Sequence, residues 1–317
     1  MLGRALLSTS LGLLSVGAVS ASTLSWNATE YLFVFGDSYT TDGYNISAGI
    51  DSPDPGYTSS NGLNWVEFLS GTYNQTDITT FDLASGGATI DAALVPPYLP
   101  TVLSVVDQVS QFSEYLASKP ADAEWDSTNS LFAIWIGIND VGNSEGWTNI
   151  TRPDFYSTLM DRLFSQVDTL YASGARSFLF LTVPPTNRAP LFIEQGPTAA
   201  ATMGDNIADY NAQLTARVRN LTTYYASDLG SVTLFDTQPV FNTLLDNAET
   251  FGFVNSTGYC AAYENGTPTP TYQVEGCAPV SNYFWLNTLH PLFTVHNILA
   301  KAITTALAGY PATQIAV

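Results

Sequence analysis

The chain has 317 residues, 45% of them apolar and only 12% charged, enough to bury a sizeable core while Ser, Thr, Asn, Tyr and Gly carry the polar balance. Twenty-eight acids stand against nine bases, a formal net charge of −19 that excludes nucleic acid and disfavours acidic lipids and pectin-like polyanions as partners. A neutral substrate suits such a field best.

In chain order, Arg4 precedes an apolar run from Ala5 to Ala18, and Val19-Ser20-Ala21 supplies a small-residue cleavage site. Residues 1–21 therefore read as a secretory signal peptide, and residues 22–317 as one domain. The run is shorter than the roughly 20 residues a membrane span needs. No stable membrane association is expected. Asn27, Asn45, Asn74, Asn149, Asn220, Asn255 and Asn265 each begin an N-x-S/T sequon. In a secreted chain these are candidate glycosylation sites and should lie on surface loops.

Five short apolar runs rich in aromatic and β-branched residues are predicted as strands: 31–35, 79–84, 130–137, 176–183 and 231–236. Segments of helical period lie between and after them, at 104–119, 154–174, 203–227 and 292–310. Short buried strands alternating with helices call for an α/β fold: a five-stranded parallel sheet with helices on both faces, in a single three-layer α/β/α domain. Sheets of this kind bind ligands beyond the carboxyl ends of their strands.

Four chemically useful groups fall at those ends. Ser38 follows the first strand in "YLFVFGDSYTTDGYN", and Gly86-Gly87 follows the second in "LASGGAT". Asn139 follows the third in "GINDVGN", and His290 sits just before the last helix in "WLNTLHPLF". A serine here could equally be a turn or cap residue. Together, though, a hydroxyl, a glycine N–H, an amide and an imidazole are what acyl transfer requires. Ser38 would be the nucleophile, His290 its base, and the Ser38 N–H, Gly87 N–H and Asn139 side chain the oxyanion donors.

Cys260 and Cys277 are the only cysteines, and they flank a Pro/Gly/Thr-rich excursion. In an oxidising compartment they are expected to pair. Two cysteines and two scattered histidines do not make a zinc site.

At these motifs the chain resembles the GDSL esterases, or SGNH hydrolases, whose four motifs occur here in order: Gly36-Asp37-Ser38, Gly87, Gly137-Ile138-Asn139-Asp140 and His290. The segments "FGDSYTTDGYN", "NGLNWVEFL" and "WLNTLHPLFTVH" are most similar to secreted fungal acetylesterases of carbohydrate esterase family 16. The resemblance implies a flavodoxin-like SGNH-hydrolase fold and deacetylation of neutral acetylated sugars, such as oligosaccharides released from hemicellulose. It also implies no metal and no organic cofactor. The partner is then a small-molecule or oligosaccharide ester, acted on by a monomer.

One position departs from the family pattern. Asn287 stands three residues before His290, where Asp is usual. An amide oxygen can orient the imidazole without adding charge, as in Cys-His-Asn proteases. A backbone carbonyl acting in a Ser-His dyad is the alternative.

Two features compete for attention. "GNSEG" (142–146) matches the G-x-S-x-G elbow, but Ser144 is placed in a polar loop well past its strand, so the match reads as chance. His296 falls inside the terminal helix and reads as a packed histidine. Among aromatics, Tyr39, Trp147 and Trp285 are the candidate sugar platforms.

Three functions are thus carried forward: a secreted acetylesterase on carbohydrate, a secreted lipase or lysophospholipase, and a non-catalytic carbohydrate-binding protein.

Overall fold

A computed structural model describes residues 24–309. The expected leader over residues 1–21 lies outside them.

The five strands are β1 (Tyr31–Gly36), β2 (Thr79–Asp82), β3 (Ser130–Trp135), β4 (Phe178–Leu181) and β5 (Val232–Phe235). They form one parallel sheet in the order β2-β1-β3-β4-β5. Both faces of the sheet are covered, which is why β1, β3 and β4 read as nearly unbroken apolar runs rather than alternating ones.

Among the described residues eight α-helices accompany the sheet: α1 (Trp65–Glu67), α2 (Val105–Tyr115), α3 (Ile138–Ser144), α4 (Arg152–Ala172), α5 (Pro190–Ile193), α6 (Pro197–Tyr224), α7 (Gln238–Asp246) and α8 (Phe293–Gly309). From β2 onward the chain crosses the sheet in one direction, and right-handed crossovers put α2, α4 and α6 on one face, where they pack side by side. The step from β1 to β2 runs the other way, so α1 falls on the opposite face and packs against α8. The sheet is therefore a three-layer α/β/α sandwich, as expected. Its centre is aromatic: the Phe33 ring lies 4.8 Å from that of Phe132 and 5.4 Å from those of Phe81 and Trp125, centroid to centroid.

The end of β1, which must hold Ser38, is fixed from α2. Gln108 is fully buried; its Oε1 accepts the Gly36 N–H at 2.9 Å and its Nε2 donates to the Gly36 carbonyl at 2.9 Å. Gly36 itself admits no side chain, because a Cβ there would lie 2.6 Å from the Trp135 carbonyl on β3.

Cys260 and Cys277 form a disulfide, as the sequence suggested. Around it Tyr263, Val280, Tyr283, Leu286 and Leu292 make a small second core beside the main one. This satellite supports the hairpin-like turn that carries His290, closed by Leu286 N–H to the His290 carbonyl at 2.8 Å and Leu292 N–H to the Phe284 carbonyl at 2.9 Å.

Two expectations change. Asn220 is exposed but lies within α6, not on a loop. Ser144 is the last residue of α3, buried, with its hydroxyl donating to the Asp140 carbonyl at 2.7 Å. The polar composition of "NDVGNSEG" hides a helix less than two turns past its start, too short to display a period.

Candidate active site

The strand order reverses direction at β1, and this switch point gathers the residues of interest. Gly36 at the end of β1 stands directly opposite Trp135 at the end of β3, so the segments that follow emerge together. Ser38 sits on a tight turn closed by Thr40 N–H and Thr41 N–H, both donating to the Asp37 carbonyl at 3.0 Å. Asp37 Oδ1 accepts the Tyr39 N–H at 3.0 Å and stiffens the same turn.

The second strand leads into a turn closed by Ala88 N–H to the Ser85 carbonyl at 3.0 Å. Gly87 has φ +84°, a conformation that favours glycine. Ser85 N–H donates to the Gly36 carbonyl at 3.1 Å, tying this turn to the nucleophile strand. Asn139, in the first turn of α3, donates through Nδ2 to the Ala88 carbonyl at 2.9 Å. That bond uses one amide hydrogen, sets the amide plane and leaves the other hydrogen available. Among the described residues neither the Ser38 N–H nor the Gly87 N–H is given to another protein group. Three N–H donors are thus left without a protein acceptor at the neighbouring ends of β1, β2 and β3.

On the other side, His290 Nε2 lies 2.8 Å from Ser38 Oγ, and its Nδ1 lies 3.0 Å from Asn287 Oδ1. The same Oδ1 accepts the backbone N–H groups of Leu289 at 3.0 Å and His290 at 2.9 Å. Two backbone donors require this atom to be the amide oxygen, which requires Nδ1 to carry the proton. Nε2 is then the free base facing the serine hydroxyl. Of the two alternatives for orienting His290, the side chain of Asn287 is the one in contact. Burial pushes the His290 pKa down to about 4, with no nearby carboxylate to raise it.

The aromatic candidates are placed differently from expectation. Trp285 is 1% exposed and donates through Nε1 to the Ser256 carbonyl at 2.9 Å; it is core. Tyr39, also 1% exposed, donates its hydroxyl to the Leu289 carbonyl at 2.6 Å and packs its ring 5.6 Å from that of His290. It joins the nucleophile turn to the base turn and cannot stack on a sugar. Trp147 is half-buried against Phe155, 5.5 Å between ring centroids, and lines none of the described cavities. His296 is buried against Tyr39, as a packing histidine should be. The aromatics that do face solvent near the site are Tyr57 at 76% and Tyr98 at 71% exposure. Tyr98 covers Gly87, whose Cβ would run into its ring. Neither stands in a motif, and the only sequence signal was their polar, Pro- and Gly-rich surroundings.

Two cavities flank the centre. One, about 180 Å³, is walled by Ile138, Leu191, Phe192, Met203 and Leu289 beside Asn139. The other, about 630 Å³, opens from His290 and Asn287 between the 56–62 and 264–270 segments. The wider cleft is lined by hydroxyl, amide and backbone groups with Glu264 as its one acid and no Lys or Arg. Asn265, one of the sequon asparagines, stands on its rim. No grouping of His, Cys, Asp and Glu suited to a metal ion occurs among the described residues.

Comparison with known proteins gives the family. The family model described as GDSL-like Lipase/Acylhydrolase matches residues 32–303. An acetylesterase of Thermothelomyces thermophilus is 34% identical over 97% of this chain and 99% of its own length. An acetylesterase of Hypocrea jecorina is 24% identical over 88% of this chain and 89% of its own. Among solved structures, an alpha/beta hydrolase enzyme from the metagenome of Lake Arreo, Spain, shares the fold with a TM-score of 0.50, at 16% identity over 89% of this chain and 97% of that one. The chain belongs to the GDSL-like lipase/acylhydrolase family of carboxylic ester hydrolases and is similar, along nearly its whole length, to the fungal acetylesterases.

Proposed function

We propose that the protein is a secreted serine esterase that removes acetyl groups from neutral carbohydrates, such as acetylated xylo-oligosaccharides, through an acyl-enzyme at Ser38. The observation that carries this reading is the 2.8 Å contact between Ser38 Oγ and a His290 whose other nitrogen is committed to Asn287.

Ser38 Oγ attacks the acetyl carbon while its proton passes to His290 Nε2. The carbonyl oxygen becomes an oxyanion held by the Ser38 and Gly87 N–H groups and the free Asn139 amide hydrogen. The bond to the sugar oxygen then breaks as Nε2 returns the proton to it. Water then attacks the acetyl carbon as it gives a proton to Nε2; the bond to Ser38 Oγ breaks, Oγ takes the proton back from Nε2, and acetic acid leaves. Because the departing oxygen takes its proton from Nε2, the alcohol belongs in the wide cleft beside His290 and the acyl group beside Asn139. The wide cleft offers hydroxyl and amide partners to a polyhydroxylated alcohol. In this reading the acyl group lies toward the smaller cavity, whose volume of about 180 Å³ suits an acetyl better than a long fatty chain.

Leu191, Phe192 and Met203 on its mixed apolar and polar wall support a second reading, an esterase for longer acyl groups. Hydrolysis of aryl acetate, butyrate and octanoate, beside acetate release from acetylated xylo-oligosaccharides, decides between them. Acetate release with activity falling steeply from acetate to octanoate supports the acetylesterase. Preference for octanoate assigns the protein to lipids.

A further inference from the structure

We infer that the cleft beside His290 is a saccharide subsite in which Tyr57 is the stacking platform, held in register by a hydrogen-bonded clasp between Asn61 and the disulfide-closed excursion. This rests on the acetylesterase reading and adds the residues that would recognise the sugar.

Tyr57 is the one Phe, Tyr or Trp lining the cleft, and its side chain is 76% exposed there. A ring with its face open to solvent, beside hydroxyl and amide groups, is what the apolar face of a pyranose packs against. Its backbone is anchored by Tyr57 N–H to the Asp42 carbonyl at 2.5 Å. The segment that follows is bound to the catalytic loop, since Phe293 N–H donates to the Ser60 carbonyl at 2.8 Å, three residues past His290.

The opposite wall is an irregular loop that its own sequence would leave slack. It is held at both ends. The Cys260–Cys277 disulfide closes its base. Across the cleft, Asn61 Nδ2 donates to Thr267 Oγ1 at 2.8 Å while Asn61 Oδ1 accepts the Thr267 N–H at 2.7 Å. Asn61 has φ +56°, a left-handed conformation that Asn tolerates better than most residues. The paired bonds reward a strained backbone and fix the distance between the two walls. A small alkyl acetate has no ring to lay on Tyr57, whereas a sugar ester is large enough to span the cleft from His290 to both walls. These residues should therefore govern discrimination between the two, not the chemistry itself.

The test compares kcat/KM on acetylated xylotriose with that on ethyl acetate, which has no ring to stack. Tyr57→Ala is expected to lower the ratio of the two about tenfold, chiefly through KM for the sugar ester, with Tyr57→Phe restoring it. Asn61→Gly, which removes the clasp but tolerates the positive φ, is expected to lower the ratio in the same direction. Equal losses on both substrates, or an unchanged ratio in a protein that deacetylates the sugar, would overturn the subsite while leaving the acetylesterase reading intact. A wild-type protein that hydrolyses ethyl acetate but not acetylated xylotriose overturns both.

Discussion

Asn287 holds His290 through a single oxygen that accepts three N–H groups at once: the imidazole Nδ1–H at 3.0 Å and the backbone donors of Leu289 and His290. The arrangement orients the base as an aspartate would, without adding a negative charge. With burial lowering its pKa to about 4, His290 is expected to stay neutral in mildly acidic solution.

The pH profile of kcat/KM should therefore have its acid limb near pH 4. Placing a charge there by Asn287→Asp favours imidazolium, so the limb should move upward by about one pH unit or more. An unmoved limb in that variant would mean that another group sets it.

Loss of the amide should cost less than loss of the base. Asn287→Ala is expected to lower kcat/KM about tenfold, because the ring stays packed against Tyr39, while Ser38→Ala and His290→Ala lose at least about 10³. If folded Asn287→Ala is as inactive as His290→Ala, orientation by the amide is indispensable.

The oxyanion donors should act on the transition state alone. Asn139→Ala is expected to lower kcat by about 10²–10³ with KM little changed. Gly87→Ala should be comparably impaired, and adding Tyr98→Ala should not rescue it. The clash with Tyr98 would be relieved in the double variant, but the positive φ of residue 87 would remain strained. Recovery in the double variant would show that sterics, not the backbone N–H, are at stake.

Tyr39→Phe removes only the 2.6 Å bond to the Leu289 carbonyl. As a positioning residue Tyr39 should affect kcat by about fivefold and leave the acid limb in place. A shifted limb would imply that its hydroxyl tunes His290 electrostatically.

Much of this was readable in the sequence, for physical reasons. The strands were legible because a sheet covered on both faces demands unbroken apolar runs, and the long helices α2, α4, α6 and α8 because several turns display a period. The short helices α1, α3 and α5 offer too few turns to do so. Ser38, Gly87, Asn139 and His290 could be brought together because each lies at a strand end or just before the last helix, where parallel topology fixes the destination. Tyr39 and Trp285 misled because nearness in sequence says nothing about which way a ring points. Tyr57 and Tyr98 were missed for the same reason: their position depends on how loops fold back over the strand ends.

Buried carboxyls give the protein an unusual dependence of stability on pH. Burial raises Asp37, Asp42 and Asp140 from 3.8 to about 7 and also raises Asp82 and Glu67. Between about pH 4 and 7 Asp37, Asp42 and Asp140 are expected to hold protons in the folded protein that the unfolded chain has released, so their contribution grows as pH falls from 7 and is lost as pH rises through it. His290 and His296, lowered to about 4 and 3, oppose this below 6.5, where the unfolded chain binds protons that the folded state refuses. The raised carboxyls outnumber the lowered imidazoles. The urea midpoint should be higher at pH 5 than at pH 8, and a higher midpoint at pH 8 would show that these carboxyls are ionised in the folded state.

The central claim, that Ser38 is a nucleophile activated by a neutral His290, is tested most directly by fluorophosphonate labelling followed by peptide mapping. One adduct per chain is expected, on Ser38, slowed only modestly in Asn287→Ala and abolished in His290→Ala. An adduct on Ser144 or another serine, or labelling of Ser38 that persists without His290, would contradict it.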